Sequence, residues 1–124
     1  MRYLPNGKQM SEADAHTIHK VGVPSLVLME RAALQIVETM HKKNISTEKS
    51  LIVCGSGNNG GDGFAVARLL TEQGKHADVL FAGKEASLRE ECRCQKQIVE
   101  NMGISVFTEF PDEEYTVIID AVFG

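Results

Sequence analysis

Between residues 55 and 63 the chain reads Gly-Ser-Gly-Asn-Asn-Gly-Gly-Asp-Gly, its densest concentration of residues suited to binding a small molecule. Gly55, Gly57 and Gly60 keep the G-x-G-x-x-G spacing, with an apolar run before them and a helical pattern after them. Glycine tolerates φ > 0 and close backbone approach, so successive N–H groups at a helix start can face a phosphate or another electronegative group. A tight packing turn is the alternative reading. Five glycines interleaved with Asn58, Asn59 and Asp62 exceed what a turn requires, which favours a ligand. Two familiar variants of such a loop do not fit. A dehydrogenase fingerprint places an acidic residue at the end of the second strand, whereas Phe81 is followed by Ala82, Gly83 and Lys84. A phosphate-binding Walker loop needs Gly-Lys-Ser/Thr, whereas Gly61 is followed by Asp62.

Asp120 is the second candidate, at the end of the apolar run Val117-Ile118-Ile119. Taken alone it reads as a cap for the following turn. In a doubly wound sheet of order 3-2-1-4 the fourth strand lies beside the first, and Asp120 then meets the loop of Asn58 to Asp62 where ligands bind.

The elements that hold these residues follow from periodicity. Met10, Ala13, Thr17, Ile18 and Val21 mark a first amphipathic helix. A second is capped by Ser25, with an apolar stripe of Leu26, Met29, Ala33, Ile36, Val37 and Met40. Glu30, Arg31, Glu38 and Lys42 form its solvated face. Leu51 to Cys54 is a short continuous apolar run ending in glycine, as in a strand covered on both faces. A helix over 60–73 follows, with Gly74 past its end, then a strand over 77–81, a helix over 87–102 closed by Gly103, and strands over 104–106 and 116–119. Strands alternating with such helices imply right-handed βαβ crossovers and a parallel sheet. Phe107 to Tyr115 must join the third strand to the fourth across about three strand spacings of ~4.8 Å. Nine extended residues reach ~30 Å, enough for the crossing but not for a full helix as well.

Composition sets the outer bounds. A chain of 124 residues, 43% hydrophobic, supports one domain, taken as residues 1–124. Thirteen Lys and Arg against 17 Asp and Glu leave a net charge of -4, with no broad attraction for nucleic acid or an anionic membrane. Apolar runs fall short of the ~20 residues of a membrane span, and the first residues lack a signal-peptide pattern. Cys54, Cys92 and Cys94 are read as reduced thiols of a cytoplasmic protein. His16 and His19 have no third metal ligand, and the acidic run 111–114 lacks calcium-loop periodicity; both are read as solvated.

Four blocks in register resemble the YjeF N-terminal domain family: Asn6 with Gln9-Met10 and Asp14; Leu28 to Ala32; Gly55 to Gly63 with Ala67-Arg68; and Asp120 to Gly124. The similarity covers nearly the whole chain, and Ala33 departs from it where the family often has glycine. The resemblance implies a Rossmann-like three-layer αβα sandwich preceded by two helices. It also implies epimerisation of the (R) and (S) forms of NADHX and NADPHX, the nicotinamide cofactors hydrated at C6. Asn58, Asn59, Gly60, Gly61 and Asp62 would contact substrate, and Gly124 would open a second substrate loop. Asn59 and Asp120 would be potassium ligands, one K+ per subunit, in keeping with the affinity of hard cations for amide and carboxylate oxygens. Family members continue beyond the equivalent of Gly124 with a Gly-Thr-Gly-Leu type loop, a distal catalytic-site aspartate and another potassium ligand. The chain is therefore expected to be truncated and impaired in catalysis. A homodimer is expected, either fused to or working with an NAD(P)HX dehydratase. The rival reading is a non-catalytic nucleotide- or RNA-binding or dimerisation module of the same fold.

Overall fold

The computed structural model describes residues 22–122. The expected first helix, with His16 and His19, lies outside the described residues. Within them the order is α1 (Ser25–Lys42), β1 (Lys49–Cys54), α2 (Asn58–Glu72), β2 (His76–Phe81), a 3-10 turn at Glu85–Ser87, α3 (Glu90–Asn101), β3 (Val106–Phe107) and β4 (Val117–Ala121). The four strands form one sheet in the order β3-β2-β1-β4. Every neighbouring pair is parallel, with Cys54 opposite Phe81 on one side and Ala121 on the other. The expected 3-2-1-4 order is thus observed, and residues 108–116 make the crossing without a helix.

The three helices end in the same way. In each, the two residues after the C-cap return their N–H groups to the last turn: Asn44 to His41 and Ile45 to Met40, Gly74 to Thr71 and Lys75 to Leu70, Gly103 to Glu100 and Ile104 to Val99. This pattern requires a left-handed residue first, and Asn44, Gly74 and Gly103 have φ of 56°, 81° and 79°.

Helix starts differ from the sequence reading. Pro24, not Ser25, is the N-cap of α1, and its carbonyl accepts the N–H groups of Val27 and Leu28. Ser25 Oγ instead donates to Glu91 Oε1 at 2.7 Å, tying α1 to α3. Leu28 joins the buried stripe in place of Leu26, which is 40% exposed. Glu30 is not simply solvated: it is half-buried and pairs with Arg68, which also bonds Glu72 at 3.0 Å. Two of the blocks that carry the family resemblance therefore meet across α1 and α2.

All three helices pack into one cluster with Ile52, Cys54, Ala77, Val79, Phe81, Val117, Ile119 and Ala121. These strand residues alternate along their strands, so they share one face of the sheet. Phe64 fills its centre with no exposure, 6.1 Å between centroids from Phe81. Leu51, Val53, Leu80, Ile118 and Asp120 alternate onto the other face. The described residues thus provide two layers of the expected three-layer sandwich. Among them no helix is long and apolar enough to cross a membrane.

Candidate functional site

A cleft of about 510 Å³ opens at the carboxyl ends of β1 and β2. Gly55, Ser56, Gly57 and Asn58 form one wall, Ala82, Gly83 and Arg89 the other, and Val122 closes the end beside β4. The backbone holds the walls together. Gly55 N–H donates to Ala121 O at 3.2 Å, Ala82 N–H to Cys54 O at 2.8 Å and Arg89 N–H to Ser56 O at 3.3 Å.

Helix α2 begins at Asn58, two residues earlier than expected, with Gly57 as an extended N-cap (φ −91°, ψ −165°) and no side-chain cap bond. The open loop is therefore only Gly55 to Gly57, and Asn58 to Asp62 are the first helical residues. The first intrahelical bond there is Gly61 N–H to Gly57 O at 3.2 Å. Helical geometry leaves the N–H groups before it without an intrahelical acceptor, at the mouth of the cleft.

The early helix start sorts the expected site residues. Asn58 is half-buried and lines the cleft. Gly60 and Gly61 are buried, while Asn59 and Asp62 are each 6% exposed. A Cβ on Gly60 would fall 2.0 Å from Gly55 O, one on Gly55 2.7 Å from Val122 O, and one on Gly63 2.7 Å from Ala121 Cβ. One on Gly61 would fall 2.6 Å from the flexible end of Met29 and at ordinary contact, 3.5 Å, from Cys92 Cα. Packing therefore accounts for Gly55, Gly60 and Gly63, as the turn reading of the loop anticipated. Gly57 is different: a Cβ there meets nothing within 4 Å. Gly124 lies outside the described residues.

Asp62 sits close enough to two buried thiols to disturb both. Burial, then the Asp62 charge, pushes the Cys92 thiol up to about 12. Burial first, then Cys92 and Asp62, raises Cys54 well above the ordinary thiol range. All three cysteines are free, and Cys92 Sγ lies 3.7 Å from Gly55 O behind the loop. Thiols so shifted are poor nucleophiles and act as packing groups.

Asp120 lies within β4, opposite Val53, because the strand continues to pair Ala121 with Cys54. Its Oδ1 accepts the Val122 N–H at 3.0 Å, so it does cap the following turn. The Gly55–Ala121 bond sets that turn beside the loop, as the 3-2-1-4 order requires. Among the described residues no hydrogen bond joins Asp120 to Asn59, which is 6% exposed. Amide and carboxylate oxygens such as those of Asn59 and Asp120 are the donor types that suit a hard monovalent cation.

A second set of potential ligands occupies the opposite, amino end of the sheet. Ligand atoms of His76, Asp78 and Glu113 lie within 4.8 Å of one another and could hold a metal ion. The buried Asp78 accepts from Tyr115 OH at 2.8 Å and lies 3.0 Å from His76 Nε2. Lys49 Nζ is 3.6 Å from Glu113 and stands over the Tyr115 ring. Burial, followed by the Asp78 bond, raises the Tyr115 hydroxyl above its ordinary range. The acidic run read as solvated thus sends Glu113 into a network.

Sequence reasoning missed Arg89, which it placed inside a helix from Ser87. The helix starts at Glu90, and Arg89 is its N-cap, pinned to the loop. The signal available was position: the connection after β2 borders the ligand crevice of such sheets.

Parallel strands in the order 3-2-1-4 and a glycine-rich turn at their carboxyl end define a Rossmann-like α/β domain with a cleft at that end. The family described as YjeF-related protein N-terminus matches residues 25–124, and the chain belongs to it. It is 44% identical over 117 residues to the NAD(P)H-hydrate epimerase of Weissella koreensis, covering 94% of this chain and 53% of that protein. It is 42% identical over 121 residues to the enzyme of the same name from Oenococcus oeni, covering 96% and 58%. The chain thus spans about half the length of these curated relatives. The crystal structure of the yeast protein ynu0 superimposes with a TM-score of 0.76 at 21% identity, covering 100% of this chain and 57% of that one, and shows the same fold.

Proposed function

We propose that this chain supplies the dinucleotide-binding part of an NAD(P)H-hydrate epimerase, interconverting (R)- and (S)-NADHX and NADPHX. The observation that carries the reading is the cleft at the carboxyl end of the sheet. It is bordered by uncapped α2 amides, in a chain 44% identical to a protein of that name.

C6 of the hydrate is a hemiaminal carbon. The ring nitrogen lone pair assists departure of the hydroxyl, which leaves as water once protonated. Water then adds to the iminium-like carbon from the opposite face and returns the proton. Catalysis requires a held dinucleotide and a placed acid–base group. The N–H groups from Gly57 onward take phosphate oxygens, Asn58 borders the ligand, and Gly57 leaves space for it. Asn59 and Asp120 would hold potassium, which supplies charge neutralisation beside the substrate. Asp62 is buried one turn into α2, beside the proposed substrate cleft, and is assigned to binding rather than proton donation. The proton-transfer group belongs to the region that relatives carry beyond this chain's match.

The same reading makes the working form a homodimer, acting with an NAD(P)HX dehydratase in the cytoplasm; three free thiols accord with a reducing compartment. The test is (R)-to-(S) interconversion of NADPHX, with and without potassium, by this chain and by a full-length relative. The relative is expected to accelerate the reaction and this chain to be severely impaired while still binding the hydrate. Failure of the chain to bind any nicotinamide dinucleotide would remove the reading.

A further inference from the structure

The two walls of the cleft differ in charge, and the difference bears on which hydrate is preferred. Among the described residues lining it, Arg89 carries the single formal charge, and no carboxylate is present. In open α/β sheets the connection after the second strand meets the adenosine ribose. A carboxylate there holds the 2′-hydroxyl, and an arginine accommodates a 2′-phosphate. Here β2 ends at Phe81 and the chain passes Ala82, Gly83 and Lys84 before reaching Arg89.

Two features fix Arg89 in that position. Its N–H donates to Ser56 O, which anchors its backbone to the β1–α2 loop. Gly83 allows the two walls to close, since a Cβ there would lie 2.7 Å from Ser56 N. The guanidinium has no hydrogen bond or ion pair within 4 Å among the described residues. Glu91, the carboxylate that feels its charge, is bonded to Ser25 Oγ and lowered chiefly by that bond. A forked cation with free donors, in a cleft lacking any carboxylate and in a chain of net charge -4, is a local phosphate-binding group.

Resting on the nucleotide reading of the cleft, we propose that Arg89 binds the 2′-phosphate of the adenosine ribose and makes NADPHX the preferred substrate over NADHX. The probes are 2′,5′-ADP and 5′-AMP, titrated calorimetrically into the full chain and its Arg89→Ala and Arg89→Lys variants. Unfolding curves check that the folded state is kept, as expected for an exposed side chain. The chain should bind 2′,5′-ADP roughly tenfold or more tightly than 5′-AMP, from the strength of charged hydrogen bonds. Arg89→Ala should bring the ratio close to one without weakening 5′-AMP, Arg89→Lys should keep part of it, and added salt should shrink it.

Equal binding of the two probes by the native chain, or a ratio that survives Arg89→Ala, overturns the inference and leaves the nucleotide reading standing. Equal weakening of both probes by Arg89→Ala also overturns it, since the guanidinium would then hold the 5′-phosphate. Binding of neither probe removes the nucleotide reading and this inference together.

Discussion

The two ends of the sheet carry polar groups in opposite conditions. At the amino end, Asp78, His76, Tyr115, Glu113 and Lys49 satisfy one another, and Thr116 is bonded to Ser46 and Lys49 through its hydroxyl and to Lys49 O through its N–H. At the carboxyl end, the first α2 amides have no side-chain cap, and among the described residues Arg89, on the cleft wall, has no counter-ion within 4 Å. Polar groups that pair with one another stabilise a fold, whereas uncapped helix amides and an unpaired guanidinium are available to a ligand, so the contrast supports the ligand cleft proposed for the carboxyl end.

Substitutions at the two ends should therefore fail in different assays. The largest stability loss is expected for Gly60→Ala, whose Cβ has no room against the Gly55 carbonyl: about 3 kcal/mol in denaturant unfolding. Gly57→Ala sharpens the comparison. At φ −91° with open space around it, alanine should change stability by less than about 1 kcal/mol while weakening nucleotide binding, read by titration. Tyr115→Phe leaves the buried Asp78 short of a donor and should cost about 1–2 kcal/mol, with nucleotide affinity unchanged.

A smaller effect concerns pH. The Cys92 thiol titrates near 12 in the folded chain against 9.0 as its reference, so the folded state holds that proton more tightly. Its contribution is complete below pH 9.0 and is lost as pH rises toward about 12, and Cys54 acts in the same direction. Unfolding free energy should thus fall above pH 9.0, less steeply in Cys92→Ala. The smallest effect is at Cys94, which is exposed: alkylation near neutral pH should modify it first and leave stability unchanged.

Much of the framework was legible. Continuous apolar runs marked the strands, and Gly74 and Gly103 marked two helix ends because a left-handed residue was needed there. The edge strand was misplaced: Ile104, read as its start, instead returns its N–H to Val99 to close α3, so β3 is only Val106–Phe107. The start of α2 was missed because Asn58 and Asn59 favour loops locally, whereas Gly57 takes the cap position. Glycines required by packing and glycines in open space look the same in sequence, and only the contacts separate Gly60 from Gly57. Arg89 was not legible because a charged residue at the edge of an amphipathic pattern reads as solvated surface.

The most direct test of the central claim is to follow the backbone amide resonances of the chain while titrating in NADPHX. The account predicts saturable shifts confined to the carboxyl end, at Ser56 to Gly60, Gly83, Arg89 and Val122, with His76, Glu113 and Tyr115 unmoved. Shifts centred on the amino-end network, or none at saturating hydrate, would contradict it.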